Sequence, residues 1–87
     1  MSISDVELAR ARLRWRARRG LLENDLILTR FLDQYEEQLS DEDVLSLTKL
    51  FQLDDNQLLE ILLGKTEPQG EYYTDNICRL VQIIRDA

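Results

Sequence analysis

Asp5-Val6-Glu7-Leu8-Ala9-Arg10-Ala11-Arg12-Leu13-Arg14-Trp15-Arg16-Ala17-Arg18-Arg19-Gly20 opens the chain with helical periodicity and six arginines in ten residues. Val6, Ala9, Leu13 and Ala17 recur at spacings of 3, 4 and 4, which predicts a helix from about Asp5 to Arg18 with one narrow apolar stripe. Leu8 and Trp15 fall on the opposite side. Arg10, Arg14 and Arg18 line one flank of the stripe, and Arg12, Arg16 and Arg19 line the other. Gly20 follows where a left-handed residue commonly closes a helix. A stripe this narrow must pack against further helices.

The remaining sequence supplies them. A second helix is predicted over about Leu22 to Leu39, with Leu28, Phe31, Leu32, Tyr35 and Leu39 as its core side. Glu23 and Asp25 near its start suit the positive end of the helix dipole. Ser40 followed by Asp43 reads as a capping box opening a third helix, about Asp41 to Gln52, with Val44, Leu47, Leu50 and Phe51 inward. The acidic run Asp41-Glu42-Asp43 reads as first-turn dipole chemistry with a solvated face. Asp54 or Asp55 caps a short fourth helix over residues 55–63, in which Leu58, Leu59 and Leu62 face inward and Gly64 stops the run. After the turn-rich segment 65–71, a fifth helix is expected over about Tyr72 to Arg85, using Tyr73, Ile77, Leu80, Val81 and Ile84. Tyr72 and Tyr73 read as packing residues at its start. Alternating β-branched strands, internal repeats and low-complexity linkers are absent from the sequence. The expectation is an all-α fold, a compact five-helix bundle with residues 1–87 as a single helical domain.

Composition narrows the function. The chain has 11 basic and 17 acidic residues, a net charge of -6. Residues 1–19 carry 6 basic and 2 acidic groups, or +4, while residues 20–87 carry 5 and 15, or -10. A cationic tool on an anionic body points to a partner. With no histidine, one cysteine, no glycine-rich phosphate loop and no serine–histidine pair, soft-ligand metal binding and triad chemistry are disfavoured. Cys78 alone forms no intramolecular disulfide, and beside a core stripe it reads as a small inert hydrophobe. No apolar run approaches the roughly 20 residues of a membrane span, and the start lacks a signal-peptide apolar region. A cytoplasmic protein is the expectation.

Each candidate residue has a plain structural reading beside a functional one. Single surface arginines are usually solvated, their stems covering the core edge. Six arginines with no lysine among them favour planar, bidentate recognition instead. Trp15 is either half-buried against a neighbouring helix or an exposed anchor of the hot-spot type. Gly20 is a helix cap that would also let another backbone come close. Glu23 suits a helix start, yet across the tight turn it would stand beside Arg19 and present opposite charges to a polar surface.

The segment Arg12-Leu13-Arg14-Trp15-Arg16-Ala17-Arg18-Arg19-Gly20-Leu21-Leu22-Glu23-Asn24-Asp25 resembles the signature of the succinate dehydrogenase flavinylation assembly factors, bacterial and mitochondrial. The hallmark of that family is Arg-Gly-x-x-Glu after an arginine- and tryptophan-containing first helix, matched by Arg19, Gly20 and Glu23. Phe31-Leu32-Asp33-Gln34-Tyr35 and Leu39-Ser40-Asp41 resemble its second helix and following cap. The likeness covers about residues 11–62 well. It implies a five-helix assembly chaperone that binds the flavoprotein subunit of succinate dehydrogenase, with fumarate reductase as a related candidate. It further implies that the factor promotes covalent attachment of flavin adenine dinucleotide (FAD) to a histidine of that partner. This chain has no histidine, so the linkage belongs to the partner, and the factor is expected to be neither an enzyme nor a carrier of its own cofactor. The implied contact set is Arg12, Trp15, Arg16, Arg18, Arg19, Gly20, Glu23 and Asp25, on a bacterial, cytoplasmic protein that is monomeric when free.

The competing reading is a nucleic-acid-binding module built on the arginine helix. A body of -10 would repel a long polyanion, and no helix-turn-helix recognition helix follows. A small enzyme lacks candidate catalytic groups.

Overall fold

The aliphatic stripes close on one another in a computed structural model that describes residues 5–18 and 20–87. Helices α1 (Asp5–Ala11), α2 (Leu13–Ala17), α3 (Leu22–Tyr35), α4 (Asp41–Leu50), α5 (Asp55–Leu62) and α6 (Asp75–Asp86) follow in order, and the described residues contain no strand. Single 3₁₀ turns occupy Glu36–Gln38 and Gly70–Tyr72. Leu13, Leu28, Phe31, Leu47, Leu50, Leu58, Ile77, Leu80 and Ile84 meet in one almost fully buried core. Phe31 stacks on Tyr35 with ring centroids 5.5 Å apart. Truncating such a buried ring typically costs about 3–5 kcal/mol.

The predicted first helix is divided. Arg12 adopts φ -97° and ψ 2°, α2 ends at Ala17, and Arg18 is extended. The stripe survives the break, since Ala9, Leu13 and Ala17 are all buried. Tertiary packing accounts for the division: α1 lies on α4, whereas α2 bridges α3 and α4. The helix thus ends before Gly20, which is not its cap. Gly20 sits in the α2–α3 turn at φ +88°, a conformation that side-chain-bearing residues rarely adopt.

Other boundaries also move. α3 stops at Tyr35, and Leu39 reaches the core from extended backbone after the 3₁₀ turn. α4 ends at Leu50, with Phe51 still buried. Its capping box is present: the Ser40 hydroxyl accepts from the Asp43 N–H, and the Asp43 carboxylate accepts from the Ser40 N–H. In α5, Asp54 is the cap, accepting from the Gln57 N–H, and Ile61 takes the buried place expected of Leu59. Gly64 at φ +79° closes α5, with its N–H donating to the Ile61 carbonyl and that of Lys65 to the Glu60 carbonyl. α6 starts at Asp75 because the Thr74 hydroxyl accepts from the Ile77 N–H. Tyr73 is therefore exposed instead of packed, while Tyr72 is half-buried with the Lys49 ammonium 5.7 Å above its ring.

Two arginines lock the C-terminal half. Asp43, read from sequence as solvated, is buried and paired with Arg79, whose guanidinium also donates to Asn76. Burial pushes the Asp43 pKa up, but the Ser40 N–H, Asn76 and Arg79 outweigh it and hold the carboxyl below its ordinary value. Arg85 donates to the carbonyls of Ile61 and Thr66 and pairs with Glu67 at 2.8 Å. That contact places a cation on the C-terminal carbonyls of α5, where the helix dipole favours it.

Candidate functional site

The arginine segment sorts into two kinds of residue. Arg10 pairs with Asp41 at 3.0 Å, tying α1 to the start of α4. Arg14 reaches Asp33 at 2.9 Å and Glu36 at 3.0 Å, clamping α2 along the last turns of α3. Asp33 and then Glu36 raise its pKa further above an already high value, so it stays charged at any working pH. Exposed pairs of this kind contribute only about 0–1 kcal/mol each, but they fix where α2 lies. Among the described residues, Arg12, Arg16 and Arg18 make no ion pair. Arg19 lies outside the described residues, and so does the expected Arg19–Glu23 juxtaposition.

Trp15 is 72% exposed, so it is not packed half-buried against a neighbouring helix and its ring faces outward. It stands with Arg18 on a ridge between two clefts. One, about 470 Å³, runs toward α3 and is lined by Arg14, Ala17, Thr29 and Leu32 besides the ridge. The other, about 720 Å³, runs toward the α4–α5 corner and is lined by Arg16, Thr48, Phe51, Gln52 and Asp55 besides the ridge. Arg16 is half-buried in that wall, and its Nε–H is covered without a hydrogen-bond acceptor. Leaving a covered donor unsatisfied costs about 1–3 kcal/mol.

Beyond the turn, Glu23 is exposed in the first turn of α3 and Asp25 is half-buried. An added Cβ at Gly20 would meet nothing within 4 Å, so the turn is open to an approaching surface, and backbone strain alone selects glycine there. Sequence reasoning missed three residues here. Leu22 and Leu26, 66% and 57% exposed, share a face of α3 at i and i+4 and leave a second exposed apolar pair just after the glycine turn. Asn24 is fully buried, donating to the Asp55 carbonyl at 3.0 Å with its own Oδ1 unpartnered, so it ties the α3 start to the α5 start. The signal was present: Asn24 keeps helical phase with Leu28, Phe31 and Tyr35, a polar residue on an apolar stripe. No group of three or more histidine, cysteine or acidic residues among the described ones is placed to hold a metal ion, and no helix there is long and apolar enough to cross a membrane.

An exposed aromatic ridge, guanidiniums without an ion pair among the described residues and an open glycine turn together define a small all-α protein with a candidate docking face. Comparison with known proteins identifies its family. The Sdh5 family, described as the flavinator of succinate dehydrogenase, matches residues 11–86. A protein of Ralstonia nicotianae named FAD assembly factor SdhE is 53% identical over 76 residues, 87% of this chain and 80% of its own length. Proteins of the same name from Legionella pneumophila (31% over 78 residues, 90% and 92% of the two chains) and Vibrio vulnificus (34% over 72 residues, 83% and 84%) are also similar. The chain belongs to this family of flavinators of succinate dehydrogenase. No solved structure matches it significantly.

Proposed function

We propose that this protein is an assembly factor that binds the flavoprotein subunit of succinate dehydrogenase and promotes its covalent flavinylation. Membership of the flavinator family supports the role, and the exposure of Trp15 among unpaired arginines supports the surface. The bond-forming chemistry and the FAD stay on the partner, since this chain has no histidine to carry the flavin. The factor works by differential binding. It holds the immature flavoprotein in the domain arrangement that aligns histidine and flavin, and so raises the population of that arrangement. Trp15, Leu22 and Leu26 provide the desolvated centre of the contact. Arg12, Arg16, Arg18, Arg19, Glu23 and Asp25 provide the charged rim, and Gly20 lets the two surfaces close. The free factor is a monomer that acts in the bacterial cytoplasm, and fumarate reductase is a second substrate by the chemistry it shares.

The test is covalent flavin on the flavoprotein subunit, read by in-gel fluorescence after co-expression. Glu23→Ala, exposed and cheap to the fold, and Gly20→Arg are each expected to cut it severalfold. Arginine at φ +88° also strains the backbone by about 1–2 kcal/mol, so Gly20→Asn, which tolerates that region, separates strain from steric blocking. Full flavinylation with folded Glu23→Ala and Gly20→Arg would remove the turn from the mechanism.

A further inference from the structure

We propose that the cleft between α2 and the α4–α5 corner receives a single acidic side chain of the protein partner, its carboxylate pairing with the Arg16 guanidinium and its alkyl stem lying between Trp15 and Phe51. The inference rests on the docking role above and adds a site and a ligand chemistry to it, carrying the contact surface from α2 onto α4.

Three observations carry it. Arg16 is a half-buried cation with no carboxylate partner and a covered Nε–H that lacks an acceptor, although Arg10 and Arg14 in the same segment are both paired. A guanidinium with no carboxylate partner gains most from an incoming planar acceptor. The cleft, about 720 Å³, is large enough for one acidic side chain with its flanking backbone, and Gln52 offers an amide on its wall, while the Thr48 hydroxyl already donates to the Val44 carbonyl.

Charge selects one carboxylate over a polyanion. Arg16 and Arg18 stand on the α2 side, but Asp55 closes the far wall and already has an interaction of its own. The C-terminal end of α4 lies along the same wall and adds partial negative charge. A phosphate backbone would meet both, whereas one carboxylate on the α2 side meets neither.

Titration calorimetry of the full-length protein against the purified flavoprotein subunit tests this. Wild type is expected to bind. Arg16→Gln, which loses the cation, and Gln52→Trp, which fills the cleft from an exposed position, should each weaken binding about tenfold or more, while Lys65→Gln on the distal loop should not. Arg16→Glu should be rescued by one Asp- or Glu-to-Arg exchange on the flavoprotein surface. Failure of wild type to bind would sink the docking role itself and the cleft with it. Wild-type binding together with an unaffected Gln52→Trp or Arg16→Gln would overturn the cleft alone.

Discussion

The two halves of the molecule differ in how many of their arginines folding uses. In the C-terminal half, Arg79 closes on buried Asp43 and on Asn76, which in turn donates to Ser46, and Arg85 satisfies two carbonyls and Glu67. In the N-terminal half Arg10 and Arg14 are paired, but Arg12, Arg16 and Arg18 have no ion-pair partner among the described residues, and Trp15, Leu22 and Leu26 are left in water. Folding alone rewards the first arrangement and gains nothing from the second. An exposed apolar ridge with unpaired cations is a cost carried by the free protein and recovered on a partner. The contrast separates residues that build the bundle from residues that use it.

The largest effect is expected on the scaffold side. Asp43→Ala keeps the bond from the residue-43 N–H to the Ser40 hydroxyl but removes the carboxylate that accepts from the Ser40 N–H and pairs with Arg79. Losing these contacts to a buried charged group should cost about 2–3 kcal/mol of stability. A chain of this size should then melt roughly 10–20 °C lower. The same carboxyl predicts acid sensitivity. Its folded pKa lies below the unfolded value, so its stabilisation is present above the ordinary carboxylate range and is lost as pH falls through the lowered folded pKa. Wild type should lose stability on acidification below about pH 4, and Asp43→Asn should lose less. Flavinylation per folded molecule should stay at the wild-type level in both variants. A loss of flavinylation out of proportion to unfolding would break the division between the halves.

The opposite outcome is expected of Trp15→Ala. The residue is 72% exposed, so truncation should leave the melting temperature within a few degrees of wild type. Binding to the flavoprotein should weaken by about 2 kcal/mol, or roughly thirtyfold, as at a hot spot. Calorimetric titration and a thermal melt on the same preparation check both parts. Equal losses in stability and affinity would mean that Trp15 belongs to the scaffold after all.

How far this division was legible in the sequence depends on what each feature needs. The core stripes Ala9-Leu13-Ala17, Val44-Leu47-Leu50 and Ile77-Leu80-Ile84 depend on spacing within one helix, and they were readable. So were the Ser40 cap, an aspartate cap at 54 or 55 and the stop at Gly64, which rest on single residue types near helix ends. The break at Arg12 was not, because helical phase persists across it and packing against two different neighbours creates it. Thr74 was overlooked because Tyr73 continued the apolar period one turn too far. The exposure of Trp15 and the sorting of the arginines depend on partners such as Asp33, Glu36 and Asp41, 19 to 31 residues away in sequence. The segment was readable as a candidate site. Which of its arginines are spoken for was not.

That sorting yields the smallest and most discriminating prediction. Arg12 and Arg14 are both exposed, two residues apart, and indistinguishable by composition. Arg14 bridges Asp33 and Glu36, and its clamp is solvent-screened, so Arg14→Gln should cost no more than about 1 kcal/mol of stability. Because the clamp sets the position of α2, that variant should also loosen the Trp15 ridge and weaken binding slightly. Arg12→Gln removes no ion pair and should leave the melting temperature unchanged while lowering the association rate, an effect that fades as salt is raised. Paired melts and salt-dependent association kinetics resolve the two. If Arg12→Gln destabilised the fold while Arg14→Gln left it unchanged, the assignment of one arginine to the scaffold and the other to the partner would be reversed.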